Sequence, residues 1–395
     1  MKTIKGPRAR DLGIPFSGTP GRWNAITDVE GVEVGYVTLS SGEGRLIVGE
    51  GPVRTGVTAI LPRGRNDRRP CFAASFTLNG PGEVTGLTWL EERGAFDGPI
   101  LLTNTHAVGT VRDASVQWMR GRGWEFEWAM PIAGETYDGN FSDINGGHVR
   151  AEHVFEALDG AAGGPVAEGN VGGGTGMTTY EYKGGTGTAS RRLSEEDGGY
   201  TIGVLVQSNY GRRRQLRIAG LKVGEILSED MPRYLDEDLV PEEVKAKHLQ
   251  WRRRPHPKGE GSETPADGSI IVVVSTDAPL LPHQLKRLAK RPSLAIGRLG
   301  GIAMTGSGDI FIALSTANAE GCDPQRSDAA PSDVKALPNL ALSPLFEAAI
   351  DATEEAIVNA LVAAEASTGA HSLHFPRLPH DRVREILARH NLLET

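Results

Sequence analysis

The chain has 395 residues, 39% hydrophobic and 23% charged, which is ordinary material for a globular protein with a sizeable core. Its formal charge of −8 argues against nucleic acid as the main partner, because phosphate binding needs a net basic face. Two cysteines, Cys71 and Cys322, make no disulfide framework, and neither has the nearby second cysteine that a zinc site needs. The N-terminus lacks the apolar run of a signal peptide, and no stretch is apolar enough to span a bilayer. The expected compartment is therefore the cytoplasm, with no membrane partner.

Residues 23–78 read as β-rich, with branched apolar residues alternating with turn formers in WNAITDVEGVEVGYVTL and TGVTAILPRG. TGLTWLEERGAF reads as a short helix, and PILLTNTHAVG as a buried strand with a loop at its end. HVRAEHVFEALDGA is a helix stopped by glycine. The 51 glycines cluster at 169–176 and 184–187, as tight turns and close backbone approach require. GGGTGMTT at 172–179 has the composition of a phosphate-cradling loop. No GxxxxGK[ST] occurs, however, so this loop is expected to shape the mouth of a pocket. GYTIGVLVQSNYG is a strand running into a polar loop, and RIAGLKVGEIL a short helix or strand.

Residues 229–267 are polar, charged and rich in Pro and Gly. They read as an exposed linker, helical around 241–250, with a solvated basic tract at Arg252, Arg253 and Arg254. At Ser269 the character changes to SIIVVVSTDAPL, a strand of the kind buried on both faces. LLPHQLKRLAKR is an amphipathic helix, and GGIAMTGSGDIFIALSTAN reads as a hairpin around a Gly-Ser-Gly-Asp turn. Ser343 and Pro344 suit the N-cap and first turn of a helix reaching about Glu365, and Asp381 opens a last helix. Helices come in runs and not after every strand, which predicts a layered α+β sandwich and not a regularly wound parallel sheet.

The junction at Gly268–Ser269 carries the most chemistry. A removable polar linker ends in Asp-Gly and meets a serine that opens a rigid strand. Cleavage before Ser269 would place an α-amine, of ordinary pKa about 7.7–8.0, beside the serine hydroxyl. Nucleophile and base would then belong to one residue. Glycine at 268 suits self-cleavage because its backbone tolerates strained geometry.

At this point the sequence resembles the self-processing L-aminopeptidase/D-amidase-esterase and β-peptidyl aminopeptidase family of serine N-terminal-nucleophile hydrolases. The matching motifs run nearly the whole chain: LNGPGEVTG (78–86), LLTNTHAVG (101–109), ETYDG (135–139), GNVGGGTGM (169–177), KGGTGTASR (183–191), VLVQSNYG (204–211), DGSIIVVVSTDAPL (267–280) and GSGDIFIALSTAN (306–318). The resemblance implies a four-layer αββα sandwich in which fragments 1–268 and 269–395 stay together as one domain. It also implies a homo-oligomer, read as a tetramer, that takes short peptides or amino-acid amides and needs no cofactor.

Ser269 matches the family's nucleophile, freed by cleavage after Gly268. Ser307 and Asp309 match a serine-x-acid pair close to it, where the family often carries glutamate. Asn209 matches an oxyanion donor, Tyr137 a residue lining the site, and Glu135 an acid that holds the substrate's amino group. Whether the Ser269 amine or Ser307 with Asp309 is the general base stays open, as does preference among L-, D- and β-amino acyl groups. Two alternatives keep the scaffold: an acyltransferase of the ornithine acetyltransferase type, against which serine at 269 speaks, and a non-catalytic binding relic. A metallopeptidase is not expected, since HExxH is absent.

Overall fold

The computed structural model describes residues 6–246, 268–322 and 329–394. Two sheets form its centre. The first runs in the order β1 (Glu33–Ser41), β2 (Val53–Leu61), β5 (Ile100–Asn104), β6 (Ile132–Thr136). The second runs β4 (Ala95–Phe96), β3 (Cys71–Asn79), β13 (Gly308–Ser315), β12 (Gly268–Thr276), β10 (Thr201–Tyr210), β9 (Gly185–Arg192). Two small ladders lie outside them. One pairs β7 (Thr178–Thr179) with β8 (Tyr182–Lys183), and the other is ordered β11 (Arg233–Tyr234), β15 (Leu373–Phe375), β14 (Ser367–Thr368). The helices are α1 (Leu87–Arg93), α2 (Val108–Gly121), α3 (Ala151–Asp159), α4 (Val223–Ile226), α5 (Pro282–Ala289), α6 (Pro292–Arg298), α7 (Ser343–Val362) and α8 (His380–Arg389).

The period of two along each strand sorts side chains into layers. In β12, Ile270, Val272 and Val274 face the helices α5, α6 and α7, while Ile271 and Val273 face the other sheet. Ile60, Leu102 and Ile132 of the first sheet meet Leu205, Ile271, Val273 and Ile312 of the second, forming the middle of the molecule. On the far side, Val57, Ala59, Leu101 and Ala133 pack against Val111, Ala114 and Trp118 of α2 and Val154 and Leu158 of α3. The layers are therefore helix, sheet, sheet, helix, the αββα sandwich expected. Each fully buried branched side chain in these layers contributes about 1.5–3 kcal/mol.

Four expectations need correction. The 300–318 segment is not a hairpin: Gly308–Ser315 pairs parallel with β12 and antiparallel with β3. Parallel neighbours need a crossover, and α5 and α6 supply it. For the same reason α2 connects the parallel pair β5 and β6, where the sequence reading had only a loop. Ser343 is the first residue of α7, not its N-cap, and that position belongs to Leu342. Finally, the glycine loop at 172–176 is buried between the sheets and does not line an open mouth. A Cβ on Gly173 would lie 2.2 Å from Gln207 Oε1 and 2.7 Å from the Leu102 carbonyl oxygen, one atom from each sheet. Of the polar linker, 233–239 forms β11 and a 3-10 turn, 242–246 is helical, and the basic tract lies outside the described residues.

Candidate active site

Three adjacent strands bring the predicted residues into line. Ser269 on β12 pairs with Asn209 on β10 and with Gly308 on β13. Ser269 is buried, and its Oγ donates to the Gly268 carbonyl at 2.8 Å and accepts from the Gly308 N–H at 3.3 Å. The hydroxyl thus lies against the carbonyl group that self-cleavage would attack. Gly268 has φ +89°, in the region that favours glycine, and a Cβ there would fall 1.7 Å from the Asn209 carbonyl oxygen.

The Asn209 amide is fixed at both ends. Its Oδ1 accepts the Thr178 N–H at 2.8 Å and its Nδ2 donates to the Tyr137 carbonyl at 2.9 Å. An NH2 group has two hydrogens, so one is left for a substrate. Tyr137 is half-buried, and burial pushes its phenol pKa up. Its ring packs on Gly139, where a Cβ would come 2.5 Å from the phenol.

Ser307 Oγ donates to Asp309 Oδ1 at 2.6 Å. Asp309 is buried, its Oδ2 has no hydrogen-bond partner, and burial pushes its carboxyl up to about 6, with the Ser307 bond pulling the other way. Among the described residues no side-chain hydrogen bond joins the Ser307 hydroxyl or the Asp309 carboxylate to the Ser269 hydroxyl. The structure therefore brings Ser307 and Asp309 together, one strand away from the nucleophile.

Glu135 is the penultimate residue of β6 in the other sheet and is buried. Its Oε1 accepts the Glu83 N–H at 2.9 Å, and its Oε2 accepts the Thr105 hydroxyl. Burial pushes its pKa up, and these two bonds oppose that shift. The 79–86 loop connects it to the nucleophile's surroundings. A Cβ on Gly82 would sit 3.2 Å from Glu135 Oε1 and 3.3 Å from Gly308 Cα. Asn79 secures the loop's start by donating to the Met304 and Ser307 carbonyls, each at 2.7 Å.

Sequence reasoning assigned no role to four residues around this cluster. Gln207 joins the sheets, donating to the Thr103 carbonyl and the Thr136 hydroxyl, each at 2.8 Å. Thr178 donates its N–H to the Asn209 amide, Lys183 donates to the carbonyls of Thr175 and Met177 in the same turn, and Asp138 follows Tyr137, whose carbonyl accepts from that amide. Lys183 and Asp138 are fully buried charged types, and a lysine next to a glycine run was the only signal for them.

A serine at the head of a central strand, touching the carbonyl before it and flanked by a fixed amide donor and a buried acid, defines a serine N-terminal-nucleophile hydrolase. Comparison with known proteins agrees. A model of peptidase family S58 matches residues 24–374. Beta-peptidyl aminopeptidase BapA of Sphingosinicella microcystinivorans is 54% identical over 99% of this chain and 94% of its own. BapA of Sphingosinicella xenopeptidilytica is 44% identical over 98% and 92%. The L-aminopeptidase D-Ala-esterase/amidase of Ochrobactrum anthropi, a solved serine aminopeptidase with an Ntn-hydrolase fold variant, has a TM-score of 0.84 at 44% identity, covering 98% of this chain and 99% of that one. The chain belongs to peptidase family S58. It is a hydrolase of the aminopeptidase type, and the acyltransferase and binding-relic alternatives are not favoured.

Proposed function

We propose that the Gly268–Ser269 bond cleaves itself, leaving fragments 1–268 and 269–395 associated, and that the mature enzyme removes N-terminal amino acyl groups from short peptides, amides or esters. The observation that carries this is the contact of Ser269 Oγ with the Gly268 carbonyl at the head of a rigid strand. In the mature enzyme Ser269 Oγ attacks the carbonyl that follows the substrate's N-terminal residue. The Ser269 amine, or Ser307 acting with Asp309, takes the hydroxyl proton and returns it to the leaving amine. Asn209 donates its free amide hydrogen to the tetrahedral oxyanion. Glu135 holds the substrate ammonium by a charge-assisted hydrogen bond, with the Tyr137 ring along the same cleft. Water then hydrolyses the acyl-enzyme.

The names of the two BapA relatives make β-amino acyl peptides the first substrates to test, with L-α-amino acyl amides as the comparison. The reading includes a cytoplasmic homotetramer with no nucleic-acid or membrane partner. The net charge of −8 supports the first exclusion, and among the described residues no helix is long and apolar enough to cross a membrane. Turnover of β-homoalanyl and L-alanyl p-nitroanilides by purified protein tests the activity. Hydrolysis of neither by fully cleaved protein would overturn the aminopeptidase reading, and light scattering tests the tetramer.

A further inference from the structure

Two buried charged residues lie behind Asn209 and have no part in the reaction as described. Lys183 is completely buried, and its Nζ donates to the Thr175 carbonyl at 3.1 Å and to the Met177 carbonyl. The same Nζ lies 5.1 Å from the centre of the Phe141 ring. Between those two carbonyls is Gly176, whose backbone rests directly on Asp138: a Cβ there would come 2.7 Å from Asp138 Cβ. Asp138 is also buried, beside Thr55 and Asn104, and neither of its oxygens has a hydrogen bond of good geometry.

Burying an ammonium and a carboxylate costs several kcal/mol per ion unless each is compensated. A methionine would fill the same volume at 183 without that cost. The two segments these charges join are the ones that hold the Asn209 amide. Thr178, next to Met177, donates to its Oδ1, and Tyr137, next to Asp138, accepts from its Nδ2.

We infer that Lys183 and Asp138 are positioning residues that clamp the 175–178 turn to the end of β6, so that the Asn209 amide keeps its second hydrogen aimed at the oxyanion. This rests on the reading of Asn209 as the oxyanion donor. Without the ammonium, the Thr175 and Met177 carbonyls lose their shared donor and the turn is free to shift. The Thr178 N–H then moves, and the amide rotates with it. Burial raises Asp138 to about 7 and lowers Lys183 to about 7, and the charge of Asp138 opposes the fall of Lys183.

A double-mutant cycle tests the inference. Lys183→Met, Asn209→Ala and the double variant are assayed on an aminoacyl p-nitroanilide, with rates divided by the count of free Ser269 N-termini. Loss of one oxyanion donor lowers kcat about 10²–10³-fold. Lys183→Met is expected to lower kcat about 100-fold with KM within threefold, and the double variant is expected to be no slower than Asn209→Ala alone. Multiplying losses, or wild-type kcat in Lys183→Met, would overturn the clamp while leaving the role of Asn209 intact. An unchanged kcat in Asn209→Ala would instead remove the oxyanion reading, and the clamp with it. Asp138→Asn keeps the shape of the carboxyl and enters the same cycle, with the same non-multiplying result expected, should Lys183→Met not fold. Where variants stay uncleaved, the same cycle is read on the cleavage rate by intact mass.

Discussion

Gly268→Ala separates self-cleavage from turnover. The new Cβ would lie 1.7 Å from the Asn209 carbonyl oxygen and 2.7 Å from Tyr210 Cα, and real Cβ contacts do not fall below 3.0 Å. Both obstacles are backbone of the neighbouring strand, so β12 and β10 must part by roughly 1.3 Å at the cleavage point. The positive φ adds about 1–3 kcal/mol of backbone strain for a residue with a side chain. A displacement of about 1 Å from a productive geometry costs on the order of 10²-fold in rate. Cleavage of Gly268→Ala should therefore be slowed about 100-fold in an intact-mass time course. In the proposed mature enzyme the bond to residue 268 is gone, so turnover per cleaved active site should stay within about threefold of wild type, since only interactions kept in the transition state affect it. Cleavage at the wild-type rate would refute the view that the close packing of Gly268 on Asn209 sets the attack geometry.

Asp309 predicts a pH limb. Its carboxyl accepts the Ser307 hydroxyl when ionised, and burial places its titration at about 6. In the mature enzyme kcat should fall as pH drops through about 6, and Asp309→Asn should abolish that limb in a pH–rate profile. The folded value lies above the ordinary 3.8, so the buried charge costs stability above about pH 6 and the cost vanishes below the unfolded value. Asp309→Asn should accordingly melt higher than wild type at pH 8 and not at pH 3.5. Glu135→Gln removes a charged acceptor worth about 1.5–3 kcal/mol, so kcat/KM for substrates with a free amine should fall roughly 10- to 150-fold in steady-state assays. N-acetylated analogues should show no such loss. Far from the site, Arg8 Nε donates to buried Glu168 at 2.7 Å. Arg8→Met should lose about 3–5 kcal/mol in urea unfolding, because a buried carboxylate is left behind.

Much of this was legible in the sequence for physical reasons. The branched run after Ser269 can only be a strand buried on both faces, and Ile270 to Val274 alternate between two cores as that requires. Ser269, Asn209, Ser307 and Glu135 were legible through the motifs that carry the family resemblance, because their types alone suit turns, caps and strand starts equally well. What was not legible depends on pairing between distant segments. Gly-Ser-Gly-Asp has hairpin chemistry, and nothing local says that Gly308–Ser315 will pair with β12 and β3 instead. Helix α2 did leave a signal, since Val108, Val111, Ala114, Ser115, Trp118 and Met119 share a helical face, but Gly109 and the three β-branched residues Val108, Thr110 and Val111 at its start weaken it. The glycine loop reads by composition as a tight turn at the mouth of a pocket. Its burial follows from threading between two sheets, and so does the role of Lys183, whose partners are backbone carbonyls that no residue type reveals.

The central claim is that Ser269 becomes both nucleophile and N-terminus. Intact mass and N-terminal sequencing of purified wild type and Ser269→Ala test it most directly. Two fragments meeting at Gly268 and Ser269 are predicted for wild type, with an uncleaved, inactive chain for the alanine variant. An undivided wild-type chain that still hydrolyses aminoacyl anilides would contradict it.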